Sequence, residues 1–200
     1  MSKIILASAS PRRRELLTQI GLKFEIMPSH KEEMMRGNSP AQVVMGLAMD
    51  KAGDIFAQIG GVKKEDVLVI GADTIVALDN VILGKPKNEE DALKMLQFLQ
   101  GKTHQVYTGV CMMMADKTQV FYEKTDVTMY PAAEEQLRHY ICTGEPMDKA
   151  GSYAIQGRGS VFIREIHGDY NNVVGLPVAQ IWQRLMRDEM TRKIVNENKE

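Results

Sequence analysis

Hydrophobic residues along this 200-residue chain occur in two arrangements: short unbroken runs, and longer stretches with an apolar residue every three or four positions. The first is the pattern of strands buried on both faces, the second that of helices with one buried side. Ile4-Ile5-Leu6 predicts a first strand within residues 3–7, and Leu22 to Met27 a second. Between them Ser10 suits a helix N-cap, Pro11 the first helical position and Gly21 the exit, so residues 11–20 read as a helix. Residues 28–39 are polar and read as a surface loop. Pro40 then opens a long helix in which Val43, Val44, Leu47, Ala48 and Ala52 recur at helical spacing.

Residues 66–79 carry the strongest strand signal, with Val67 to Ile70 and Ile75 to Leu78 flanking Gly71-Ala72-Asp73-Thr74. This predicts a central strand interrupted by one carboxylate, Asp73. Breaks at Asp79-Asn80 and Gly84-Lys85-Pro86 precede a helix over 89–99 with Ala92, Leu93, Leu96 and Leu99 inward. Residues 104–115 and 118–130 read as a long hairpin turning at Asp116-Lys117. A helix over 133–142, a glycine-punctuated stretch over 144–159, a strand over 161–166 and a closing helix over 177–190 follow. Residues 191–200 read as a polar, frayed tail. The order predicts an α/β fold, a mixed twisted sheet flanked by helices, in a single domain over residues 1–190.

Composition then removes several function classes. With 44% hydrophobic and 26% charged residues the chain is an ordinary globular one. Twenty-five Lys and Arg against 26 Asp and Glu give a net charge of -1, without the basic surplus of a polyanion binder, and a small anionic ligand stays open. No apolar run reaches the roughly 18 residues that cross a bilayer. Pro11 and Arg12-Arg13-Arg14 stand where a signal peptide would stay apolar, so a cytoplasmic protein without nucleic-acid polymer or membrane partners is expected. Cys111 and Cys142 read as buried free thiols. The four histidines lack zinc-type spacing, and His104 and His167 read as structural.

The first candidate for chemistry is Ser8-x-Ser10-Pro11-Arg12-Arg13. In an extended segment both hydroxyls fall on one side, and the following helix turns its free N–H groups and positive dipole end toward an anion. Three cations in that first turn oppose the dipole, which favours a bound phosphate, and Arg12 and Arg13 are the expected forks. Asp73 needs a partner inside its apolar strand, and a metal ligand or a base for water has this placement. Lys51 and Lys85 are further cations, Lys85 being held between Gly84 and Pro86. Glu32 or Glu33 could join Asp73 at a divalent cation. Gln156 offers an amide able to donate to and accept from a base edge.

Taken in order, Leu6-Ala7-Ser8-x-Ser10-Pro11-Arg12-Arg13, Glu32, Leu47-Ala48-x-x-Lys51-Ala52, Gly71-Ala72-Asp73-Thr74, Gly84-Lys85-Pro86, residues 148–157 and Val174-Gly175-Leu176-Pro177 resemble the Maf family over residues 3 to about 187. The resemblance implies a nucleoside triphosphate pyrophosphatase with a fold like that of inosine triphosphate pyrophosphatases, two lobes around a central cleft, a homodimer, and a divalent cation such as Mg²⁺, Mn²⁺ or Co²⁺. Arg12, Thr74 and Gln156 match the branch acting on dTTP and UTP, whereas a branch acting on 7-methyl-GTP differs at those places. By the same match Asp73 is the proton acceptor and a metal ligand with Glu32. Lys51 and Lys85 act in catalysis, and Ser8, Ser10, Arg12 and Arg13 bind the substrate. The loop reads Lys31-Glu32-Glu33 where many relatives carry an Asp-Glu pair; counting back from Pro40 favours Glu32 over Glu33. The alternative the resemblance carries is a non-catalytic nucleotide-binding regulator of cell division and septum formation.

Overall fold

The computed structural model describes residues 2–60 and 64–199. Its strands are β1 (Lys3–Leu6), β2 (Glu25–Ile26), β3 (Val67–Leu78), β4 (Val81–Leu83), β5 (Thr103–Met113), β6 (Thr118–Met129) and β7 (Ile163–His167). Its helices are α1 (Pro11–Gln19), α2 (Pro40–Gln58), α3 (Glu89–Leu99), α4 (Glu134–Ile141), α5 (Tyr170–Val174), α6 (Val178–Arg187) and α7 (Glu189–Glu197). The strands form a mixed seven-stranded sheet in the order β2-β1-β3-β5-β6-β7, with β4 also on β3. β1 runs parallel to both β2 and β3, the signature of the early strand-helix alternation, whereas β4 and β7 pair antiparallel. Asp79 and Asn80, both at positive φ, make the two-residue turn between β3 and β4.

Contacts divide the chain into two compact units. One comprises Met1–Asp73, Thr108–Glu123 and Gly175–Glu200, the other Thr74–Tyr107 and Lys124–Val174. Three of the four boundaries fall inside β3, β5 and β6, where an unbroken strand leaves no linker composition to read; the fourth follows α5 at Val174. In the first unit Ile5, Ala7, Val67 and Val69 pack with Ala48, Ala52 and Ile55 of α2 and with Cys111. In the second, Ala92, Leu93, Leu96 and Leu99 of α3, the face predicted from spacing, pack with Val76, Leu137, Tyr140, Tyr153 and Phe162. Each large apolar side chain buried this way contributes about 1.5–3 kcal/mol.

Four expectations need correction. The segment 22–27 forms a strand only at Glu25–Ile26, both exposed, so no apolar face drives a longer one. The closing helix ends at Arg187, because Asp188 turns extended and its side chain accepts from the Thr191 N–H at 3.1 Å to cap α7. The expected frayed tail is therefore helical, with Ile194 and Val195 buried and the Asn198 carbonyl accepting from the Lys23 N–H at 2.7 Å. Glu200, the last residue of that tail, lies outside the described residues, as does Met1. Cys142 is exposed at the end of α4, while Cys111 is buried as expected, its thiol pushed up to about 12 by burial.

Candidate active site

A close approach of α2 to β3 builds the centre of the site. A Cβ on Gly71 would lie 2.8 Å from the Ala52 backbone nitrogen and closer still to the Ala48 carbonyl, so only glycine lets the helix backbone sit this near the strand. Lys51, beside Ala52 on α2, then reaches Asp73, two residues beyond Gly71 on β3, and the two form an ion pair. The same Lys51 Nζ lies 2.7 Å from Glu33 Oε1. The two carboxylates differ in their surroundings: the Asp73 side chain is 10% exposed and Lys51 15%, while Glu33 is 52% exposed. The Lys51 and Asp73 pair is thus the desolvated one, where losing one partner would strand a buried charge.

Around this pair, the Ser8-to-Arg13 segment starts its helix as the sequence implies. Ser10 caps α1, its Oγ accepting from the Arg13 N–H, and Pro11 opens the helix. Buried Ser8 accepts from the Ser10 N–H at 3.2 Å. Arg13, expected as a fork for phosphate, makes three hydrogen bonds within its own unit through Nε and Nη1. Its Nε donates to the Gly175 carbonyl at 2.9 Å, and its Nη1 to the Ala72 carbonyl at 2.9 Å and to Ser8 Oγ at 3.1 Å. Burial lowers its pKa from the ordinary value and the Asp73 carboxylate opposes that shift. Being an arginine, it remains charged at neutral pH. It holds the backbone next to Asp73 in place. Arg12 is partly buried in the same first turn.

Of the two loop glutamates considered for the metal, Glu33 pairs with Lys51, and Glu32 is exposed in the same loop. Two carboxylates converging on one ammonium fit a cation such as Mg²⁺, which takes one or two carboxylates and fills its remaining positions with water and phosphate oxygens. Among the described residues no three His, Cys, Asp or Glu side chains gather as an all-protein metal cage. In the second unit, Lys85 is exposed, Thr74 partly buried and Gln156 exposed. The Gly84 carbonyl beside Lys85 accepts from the Gly151 N–H at 3.0 Å, which ties the Lys85 segment to the glycine-punctuated stretch. Sequence reasoning missed the roles of Tyr140 and Glu145. The carboxylate of Glu145 accepts from the Tyr140 hydroxyl at 2.8 Å and from the amides of Arg158 and Gly159 at 2.9 and 3.0 Å.

Comparison with known proteins adds what geometry alone does not. A family model described as Maf-like protein matches residues 3–188. The dTTP/UTP pyrophosphatase of Agathobacter rectalis is 54% identical over 200 aligned positions, covering 94% of this chain and 98% of its own length. That of Bacillus thuringiensis is 50% identical, covering 92% of this chain and 95% of its own. Among solved structures, the Ham1 protein of Staphylococcus aureus aligns with 64% of this chain and 72% of its own, at 16% identity and a TM-score of 0.43.

Proposed function

The chain belongs to the Maf family, and from that membership we propose that it is a nucleoside triphosphate pyrophosphatase that hydrolyses dTTP and UTP to the monophosphate and pyrophosphate, clearing nucleotide pools. The observation that carries this reading is the desolvated Lys51 and Asp73 pair, set by the Gly71 contact in the motif that resembles the family's catalytic one.

In the proposed reaction a water molecule donates its proton to the Asp73 carboxylate as its oxygen attacks the α-phosphorus. The bond from that phosphorus to the bridging oxygen breaks, and pyrophosphate leaves with the bonding pair. Lys51 holds the carboxylate at one point, so no reorganisation is needed as the proton arrives. The bound divalent cation, held by Asp73 with Glu33 or Glu32, would neutralise charge on the phosphate oxygens. Arg12, Lys85 and the N-terminus of α1 supply the other positive charge, and Ser8 and Ser10 shape that end of the site. Arg13 is assigned to the phosphates with Arg12, while its Nη1 holds the Ala72 carbonyl. Thr74 and Gln156 take the role of base selection. A homodimeric state and a cytoplasmic location complete the proposal on resemblance alone; size-exclusion chromatography tests the first. Among the described residues no helix is long and apolar enough to cross a membrane.

Assaying products from a panel of dTTP, UTP, CTP and 7-methyl-GTP with Mg²⁺ or Mn²⁺ tests the reading. Pyrophosphate with monophosphate from dTTP and UTP is the expected result. Release of inorganic phosphate, or binding without turnover, would overturn it, the latter in favour of a non-catalytic regulator.

A further inference from the structure

Around Gln156 the chain has neither a strand ladder nor a helix of its own; Ile155 to Gly157 form only bends between two 3-10 turns. A loop of this kind ordinarily leaves its amides to water and its conformation loose. Here the amides on both sides of Gln156 are taken by two side chains from elsewhere in the same unit. Before it, the Ala154 N–H donates to the Tyr140 hydroxyl at 3.1 Å. After it, the Arg158 and Gly159 N–H groups donate to the two oxygens of Glu145. The Tyr140 hydroxyl donates to Glu145 in turn, so the two sides of the loop are joined through one hydroxyl and one carboxylate. A third anchor sits at the loop's root, where buried His104 Nε2 and Tyr153 Oη lie 2.7 Å apart.

The sequence is shaped around this clasp. A Cβ on Gly157 would lie 2.6 Å from Glu145 Oε1, so the residue next to Gln156 must lack a side chain for the loop to close over the carboxylate. Burial raises the Glu145 pKa, but the amides of Arg158 and Gly159 and the Tyr140 hydroxyl outweigh it, and the net shift is downward. The carboxylate therefore remains the acceptor the loop requires, and charge-assisted bonds of this kind are about twice as strong as neutral ones. Gln156 itself is left exposed, with the backbone on both sides fixed.

We propose that Glu145 and Tyr140 are positioning residues that hold the Gln156 loop in the conformation that selects the base. This rests on the assignment of Gln156 to base recognition, and the experiment keeps the two apart. Tyr140→Phe orphans the Ala154 amide, and Glu145→Gln sets a side-chain donor against a backbone donor. In the unaltered protein, hydrogen exchange of the Ala154, Arg158 and Gly159 amides is slow; in each variant it speeds at least about tenfold while β3 amides are unchanged. With dTTP, KM rises about tenfold and kcat stays within about threefold, and the preference for dTTP over dGTP falls, the split expected when binding and not chemistry is lost. Fast exchange at those amides in the unaltered protein, unchanged exchange in the variants, or faster exchange with KM and selectivity intact overturns the proposal. Gln156→Ala separates the failures. Selectivity unchanged in that variant removes the base assignment and the proposal with it; selectivity lost there but kept in both clasp variants leaves the assignment and overturns the positioning role. The two variants remove different bonds of the same clasp, so if one misfolds the other decides.

Discussion

Lys51 and Asp73 in the first unit stand on a helix and in the middle of a strand, whereas Gln156 in the second stands on a loop with no regular structure of its own. The first site is rigid because its backbone is, and it uses full charges in a place where water screens them little. The second borrows its rigidity from Tyr140 and Glu145, and presents an uncharged amide. The difference follows from what each task needs. The proposed proton transfer demands a charge fixed to within a fraction of an ångström, which regular elements supply; a loop given the proposed part in base recognition has to be held by bonds from outside it.

The largest effect expected to test this contrast is Asp73→Asn, which should lower kcat for dTTP about 10²–10⁴-fold while nucleotide binding, followed by titration calorimetry, persists. A variant that kept its turnover and lost binding would erase the distinction between the two sites. Next is a pH effect confined to the second unit. Burial lowers the His104 pKa from 6.5 to about 4, with Asp126 opposing. Between those values the unfolded chain takes up a proton that the folded chain refuses. Stability should thus be full above about pH 6.5 and fall by up to about 3 kcal/mol toward pH 4, measured by urea unfolding. A flat profile would show that the His104 and Tyr153 anchor is not dry.

Smaller again is Gly71→Ala, which forces α2 away from β3 at an expected cost of about 1–3 kcal/mol and should lower kcat as Lys51 leaves Asp73. A variant of full activity would mean that the close approach does not set the pair. Asp188→Ala, which removes the cap of α7, should cost only about 1 kcal/mol in melting experiments and leave activity unaltered.

The sequence was readable where local chemistry decides the outcome. Ser10 and Pro11, Pro40 with the spacing of Val43, Val44, Leu47, Ala48 and Ala52, and the spacing of Ala92, Leu93, Leu96 and Leu99 each specify a helix by capping or period, and all three form. Asp73 was visible as a carboxylate that an apolar strand must account for. Readability failed where distant groups meet. Ile194 and Val195 are too few to give a period, so the packing of α7 showed only in the fold. The loop over 28–39 has no period either, so the ion pair between Glu33 and Lys51 could not be read from it. The bonds of Arg13 to the carbonyls of Ala72 and Gly175 join distant segments and left no mark in the local sequence. The clasp was the least visible part, since Glu145 and Tyr140 act on backbone amides, which no motif spells out. Its trace was the glycine at 157.

The unequal fates of the two cysteines make the protein its own reporter. Cys111 is enclosed and its thiol is held protonated, while Cys142 is exposed three residues before Glu145. The thiolate is the form that reacts with alkylating probes. A maleimide dye added to the unaltered chain should attach at one place only, beside the clasp, and follow the Gln156 loop as nucleotide arrives, with no residue exchanged.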